Sequence, residues 1–344
     1  MREFFCDQCG SLVFFENYQC VKCESRLGFA PDVFDLLAIE SNRNVWFPLG
    51  SQARGKQYRR CANDIQRAVC NWLITDDDQN DFCVSCRRND VIPDLNVPEN
   101  LQHWSKIETA KRRAIYNLIA LHLFTGFSEQ LRFRFMGGSN VLTGHADGLV
   151  TLNVAEADDV ERERRRVSFR EPYRTLLGHF RHEIGHFYWG RLVLNTPSHQ
   201  KFRQLFGDET RDYGAALKNY YATGAPADWQ LNYVSAYASA HPWEDWAETW
   251  AHYLHMVDTL ETAASFGISL KPKHPDAPAM SAEPTKVNVV ESSFDRIVRN
   301  WLPLTYALNS LNRGMGLPDV YPFVLSNTIM EKLRFIHDLV AAKR

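Results

Sequence analysis

The segment LLGHFRHEIGHFYWGRLV, residues 176–193, sets His182 and His186 four apart with Glu183 beside the first. On a helix, positions four apart share a face, so both imidazoles can reach one ion while Glu183 addresses the open coordination position. The chemistry such a set permits is metal-assisted hydrolysis. Two imidazoles are too few, because a catalytic zinc takes three protein ligands and a short pattern of this kind also recurs by chance. His179 cannot be the third. At about 1.5 Å rise per residue it starts roughly 10 Å from His186 along one rigid helix. It reads as a supporting or surface residue.

The third donor must come from elsewhere in the fold, and YASAHPWEDWAETWAHYLHM, residues 237–256, offers candidates. Pro242 suits the first turn of a helix on which Glu244, Glu248 and His252 follow at steps of four. Trp243, Trp246, Trp250, Ala247, Ala251 and Leu254 surround them with apolar surface. Carboxylates in such a setting are costly to bury unless they meet a cation or hydrogen-bond donors. Spacing alone does not choose Glu244 over Glu248, nor does it exclude His241, His252 or His255.

A different chemistry is written in the cysteines, six of which form three CxxC pairs, a spacing that favours thiolate ligation over structural disulfides. Cys6, Cys9, Cys20 and Cys23 follow the zinc-ribbon spacing C-x2-C-x10-C-x2-C, with Gly10 allowing a tight turn. Cys61, Cys70, Cys83 and Cys86 are less regular. Two buried thiols plus one CxxC pair would explain them, but a second four-thiolate zinc site uses all eight cysteines and leaves none exposed to oxidation. A redox CxxC would want a βαβ setting, which the flanking residues lack. Modules this small need metal to fold, so removing zinc should unfold this region first.

Around these residues the chain must supply positioning elements. We divide it into a zinc-ribbon module with two four-cysteine sites (residues 1–90), a linker VIPDLNVPEN (91–100) and a catalytic domain (101–344). SKIETAKRRAIYNLIALHLF predicts a core helix opened by a Ser105–Glu108 capping box, with Ile107, Ala110, Ala114, Ile115, Leu118 and Leu121 on its apolar face. LRFRFMGG and GLVTLNVAEADD read as strands, the second a cleft edge to which an extended peptide could add, with His145 and Asp147 just before it as candidate substrate contacts. ERERRR, residues 161–166, reads as an exposed charged stretch. Pro172 suits the start of the histidine helix, and Gly185 keeps that helix thin enough for a neighbour's close approach. SLKPKHPDAPAMSAEPTK reads as an exposed loop able to overhang the cleft, and two further core helices close the chain. The expected fold class is α+β, a small sheet beside the active-site helix.

With 39 basic against 41 acidic residues among 344, no global charge points to nucleic acid or a membrane. No segment is apolar enough to span a bilayer, and the CxxC pairs suit a reducing compartment, so the expected location is cytoplasmic. Arginines in QYRRC and CRRND, near the second cysteine set, keep open an alternative: a nucleic-acid or protein-binding zinc adaptor whose zincin domain is not catalytic.

At Glu244-Asp245-Trp246-Ala247-Glu248 the sequence resembles gluzincin-type metallopeptidases of the lethal-factor kind, whose third ligand opens an E-x-x-A-E helix. That resemblance implies Glu244 as zinc ligand beside His182 and His186, and Glu248 acting from behind on a ligand histidine. It further implies Glu183 as general base and Tyr237, seven residues before Glu244, as the oxyanion-stabilising hydroxyl. Over nearly its whole length the chain looks like a bacterial family of zinc-binding metallopeptidases with an N-terminal zinc ribbon. This resemblance implies one catalytic zinc, one or two structural zincs, and a peptide or protein substrate cleaved at a peptide, isopeptide or amide bond.

Overall fold

The computed structural model describes residues 1–43, 45–124, 130–138, 140–141, 143–168, 171, 173–274, 280–288 and 291–343. Its N-terminal part starts with the hairpin β1 (Phe4–Phe5) and β2 (Leu12–Val13), which closes the first cysteine set. An antiparallel sheet follows: β3 (Arg26–Ala30), β4 (Asp35–Asn42), β5 (Val45–Pro48), β6 (Tyr58–Arg60) and β7 (Leu73–Thr75), with the short helix α1 (Ala62–Arg67) between the last two. Its core is aromatic. Phe4, Phe15, Phe29 and Trp72 interlock edge to face, and Tyr116 from the next helix joins them at 5.5 Å from Phe15. The module is therefore packed onto the rest of the chain through a shared core.

That next helix, α2 (Asn100–Ala120), begins five residues before the predicted Ser105 cap. Ser105 lies inside it, and Glu108 is wholly buried and ion-paired at 2.9 Å with buried Lys111 rather than reaching back to a cap. The apolar face is as expected, with Ile107, Ala110, Ala114, Ile115, Leu118 and Leu121 all buried.

The second sheet has the order β10–β11–β9–β8, formed by β8 (Asn89–Val91), β9 (Arg132–Met136), β10 (Gly144–Ala146) and β11 (Leu149–Asn153). In β9 the alternation Arg-Phe-Arg-Phe sends Phe133 and Phe135 inward against Phe180. β8 runs into the segment expected as linker, so the strand just after Cys86 is an edge of this sheet. β11 is not an edge. Its neighbours are β9 and β10, and the free edge beyond it belongs to β10, which turns back tightly at Gly148. There φ is +82° and a Cβ would strike Gln130 O at 2.5 Å, so glycine is required.

The charged stretch forms α3 (Asp159–Ser168), without a buried residue. α4 (Leu176–Leu192) carries the histidine pair and is capped by Thr175, whose hydroxyl accepts from Gly178 N at 3.0 Å. Pro172 lies outside the described residues. After α5 (His199–Phe206) and α6 (Tyr213–Thr223) comes α7 (Pro242–Ser265), the long helix that crosses α4, and then α8 (Phe294–Gly314) and α9 (Asn327–Ala341). The described ends of the proline-containing loop pair at Leu270 and Ala282 beyond the C-terminal end of α7, whereas Glu244 lies in its first turn. Residues 275–279 of that loop lie outside the described set.

Candidate metal centre

The crossing of α4 and α7 is built on one missing side chain. A Cβ at Gly185 would sit 3.0 Å from Trp250 Cδ1 and 3.2 Å from Ala247 Cα, so only glycine lets the helices approach this closely. Trp246 Nε1 donates to Gly185 O at 2.8 Å and fixes the register of the crossing. At that register the first turn of α7 lies over the histidine face of α4. α7 starts there because His241 caps it: Nδ1 accepts from Trp243 N at 3.1 Å, while Nε2 donates to Arg211 O at 3.2 Å.

Three donors converge. His182 Nε2 lies 3.0 Å from Glu244 Oε2, and His186 Nε2 lies 3.5 Å from Glu244 Oε1. Ligand atoms held at 2.0–2.1 Å by a tetrahedral ion lie roughly 3.3 Å apart, and the 3.0 Å between His182 Nε2 and Glu244 Oε2 is close to that, with His186 beside the same carboxylate. Glu244 Oε2 is buried with no hydrogen-bond partner among the described residues, despite its closeness to His182. Atoms crowd in this way when both aim at a third partner. Ligating atoms of His182, Glu183 and His186 also lie within 4.8 Å of one another. The residues present therefore fit a divalent ion.

The same contacts shift the ionisation of these groups. Burial alone would depress the His182 pKa, but Glu244 and Glu248 hold it well above the ordinary imidazole value. Burial would likewise raise the Glu244 carboxyl, yet the two imidazoles hold it well below the usual carboxylate range. Burial does raise Glu183, against the pull of His182 and His186, giving a carboxylate of increased basicity.

The candidates that spacing left open differ in where they lie. Glu244 approaches both Nε2 atoms; Glu248 instead meets the far side of the His182 ring, its Oε1 2.5 Å from Nδ1, and Ser235 Oγ donates to Glu248 Oε2 at 2.6 Å. His252 Nε2 pairs with Tyr321 Oη at 2.7 Å and His255 stacks on the same tyrosine, both turned away from the centre. His241 is spent on its cap. His179 reaches Glu156, 3.3 Å away, rather than the ion site. Tyr237 lies in a short 3-10 turn with its ring centroid 6.0 Å from that of His182. His145 lies on the free-edge strand β10, its ring parallel to His186 at 6.2 Å, and burial with His186 nearby lowers it to about 4. Asp147 is exposed and takes a positive φ of 49° in the turn after β10.

Sequence reading missed Tyr213, whose hydroxyl donates to Glu244 Oε1 at 2.6 Å, Ser235, and the contact of Trp243 with His186 at 4.4 Å. Only Trp243 left a signal, as one of the aromatic residues beside Glu244.

Both cysteine sets close as expected. Sγ atoms of Cys6 and Cys23, and of Cys9 and Cys20, lie 3.6 Å apart; Cys70 and Cys83 are 3.7 Å apart. Thiolates on tetrahedral zinc at about 2.3 Å lie roughly 3.8 Å apart, while a disulfide needs about 2.05 Å. In the first set Cys6 and Cys20 are buried and Cys9 and Cys23 half-buried. The second, Cys61, Cys70, Cys83 and Cys86, is fully buried, and Cys86 Sγ reaches the Glu108 carboxylate on α2 at 3.8 Å. The arginines near it are engaged: Arg59 with the carbonyls of Asp78 and Asn80, Arg60 with Asp64, Arg87 with Asp78, and Arg88 over the Phe124 ring. They do not form a free basic patch.

A mixed α/β chain with an N-terminal four-cysteine zinc-binding module and a His–Glu centre between two crossed helices has the make-up of a zinc-dependent metallopeptidase. Comparison agrees. Residues 100–339 match the family described as "Putative zinc-binding metallo-peptidase", and residues 3–97 match a zinc-ribbon domain; the chain belongs to that metallopeptidase family. Uncharacterized proteins of Mycobacterium bovis and of two Mycobacterium tuberculosis strains are each 42% identical over 348 aligned residues, covering 99% of this chain and 95% of theirs. No solved structure matches the chain. Among the described residues, no helix is long and apolar enough to cross a membrane.

Proposed function

We propose that this chain is a gluzincin-like hydrolase that cleaves peptide, isopeptide or related amide bonds. His182, His186 and Glu244 hold a catalytic zinc, while the two cysteine sets hold one structural zinc each. The observation that carries the reading is the convergence of the buried Glu244 carboxylate on both Nε2 atoms of the histidine pair. When bound, the ion lowers the pKa of a coordinated water to about 7 and polarises a substrate carbonyl.

The chain's own groups do the rest. Glu183 takes the proton of the attacking water and returns it to the leaving amine, a role helped by its raised pKa. Tyr237 donates its hydroxyl to the carbonyl oxygen as negative charge develops there. Glu248 holds the His182 ring through Nδ1, with Ser235 holding Glu248 in turn. An extended substrate adds to the free edge of β10, with main-chain hydrogen bonds fixing its direction.

Glu183→Gln tests the assignment. The variant should keep its full zinc content and its fold while losing hydrolysis of a peptide library by at least about a hundredfold, the usual contribution of a general base. Retained cleavage would reject Glu183 in that role.

A further inference from the structure

We infer that Tyr213 is a positioning residue for the third metal ligand, selecting the single oxygen of Glu244 that faces the ion. The inference rests on the zinc reading above. The two oxygens of this carboxylate are treated differently: Oε1 accepts the Tyr213 hydroxyl at 2.6 Å and lies 3.5 Å from His186 Nε2, whereas Oε2 is buried beside His182 Nε2 at 3.0 Å with no hydroxyl donor among the described residues. A phenol is a donor at neutral pH, so it competes with a cation for the oxygen it occupies. With one lone pair of Oε1 engaged by the phenol, Oε2 is the oxygen without a competing hydroxyl donor, and ligation through that single oxygen is favoured. A carboxylate free to use both would chelate the ion and crowd the position that water needs.

The bond is not a by-product of core packing. Tyr213 is 38% exposed and opens α6, a helix with no buried residue, whose flanking glycines Gly207 and Gly224 take positive φ of 102° and 76°. Its hydroxyl is aimed by local devices. Asp212 caps the helix by accepting from Ala215 N at 2.9 Å, and the Tyr213 ring stands edge-on to His241 and Trp243, which flank Pro242 at the start of the helix that carries Glu244. One end of the tyrosine is thus fixed against the first turn of α7, and the other reaches the carboxylate two residues on.

Tyr213→Phe removes the hydroxyl and keeps the ring. Zinc affinity at the His–Glu site, read by competition with a chromogenic chelator in protein whose cysteine sites stay loaded, should fall roughly 10–100-fold. With cobalt placed at the same site, the visible d–d bands should weaken as the second carboxylate oxygen enters and the coordination number rises. Tyr221→Phe, on the same helix and 64% exposed, should change neither reading. Unaltered affinity and an unaltered cobalt spectrum in Tyr213→Phe would overturn the inference. His182→Ala separates this from failure of the underlying reading: it should remove one zinc per chain, and if it does not, the metal centre itself is wrongly assigned. Thermal melting and retained cysteine-bound zinc report that each variant is folded.

Discussion

The thiolate clusters and the proposed His–Glu centre gather their donors by opposite constructions. Each cluster gathers four sulfurs from short local turns, so the sequence around a CxxC pair already aims them. The His–Glu centre draws its donors from two helices distant in the chain, and nothing local makes them meet. Their convergence depends on Gly185, on the Trp246 hydrogen bond and on the His241 cap. A closed sphere of four protein ligands suits structure, while three ligands and an open side suit chemistry. The comparison teaches that loss of metal should mean unfolding in one region and loss of activity in the other.

The largest effect is expected at the buried cluster. Burial and the neighbouring thiols push the Cys83 thiol well above its ordinary value, so without zinc Cys83 is left as a buried neutral thiol. Zinc binding at a site of this type contributes about 10 kcal/mol or more, comparable to the whole stability of a domain at ~5–15 kcal/mol. Cys83→Ser should therefore give insoluble protein, or soluble protein short of one zinc with a collapsed thermal transition. Folding that survives intact would mean the second cluster is dispensable.

An intermediate effect is expected from acid. Burial, with Arg181 nearby, lowers His255 to about 4, so the folded chain keeps this imidazole neutral while the unfolded chain takes up a proton near 6.5. The unfolded state then binds more protons between those values. Stability present above pH 6.5 is lost as pH falls towards 4, by up to about 3 kcal/mol. His255→Phe should flatten the fall of the melting temperature across that window, and a variant curve parallel to the parent would contradict the assignment.

The smallest change in stability should carry a disproportionate change in chemistry. Gly185→Ala adds one methyl against Trp250 and Ala247, costing about 1–3 kcal/mol. Because the methyl pushes α7 away from α4, the His–Glu centre should lose zinc and activity while both cysteine sites stay loaded. Metal counting on the folded variant checks this, and equal retention at all sites would show that the crossing tolerates the shift.

Much of this was legible in the residues. Alternating Phe133 and Phe135 announced a strand, and the apolar face of α2 announced a core helix. The HEIGH pair and the CxxC pairs marked their chemistry at once. The start of α2 was misread because Ser105 and Glu108 imitate a capping box, while the true start depends on burying Trp104 and pairing Glu108 with Lys111. β10 went unread because its three residues carry no alternation, and without it β11 looked like a free edge. Tyr213 left no trace, since a tyrosine opening a half-exposed helix carries no pattern until the helix is seen over Glu244.

By itself the sequence determined which side chains can bind metal and which of them share a local face, since helical period and CxxC spacing are properties of contiguous chain. Spacing did not choose among Glu244, Glu248, His241, His252 and His255, although the E-x-x-A-E resemblance implied Glu244. Only the tertiary structure decided which carboxylate stands beside both Nε2 atoms, because the distance between side chains on separate helices is set by where those helices cross, and that crossing is fixed by packing at Gly185 that no single segment encodes.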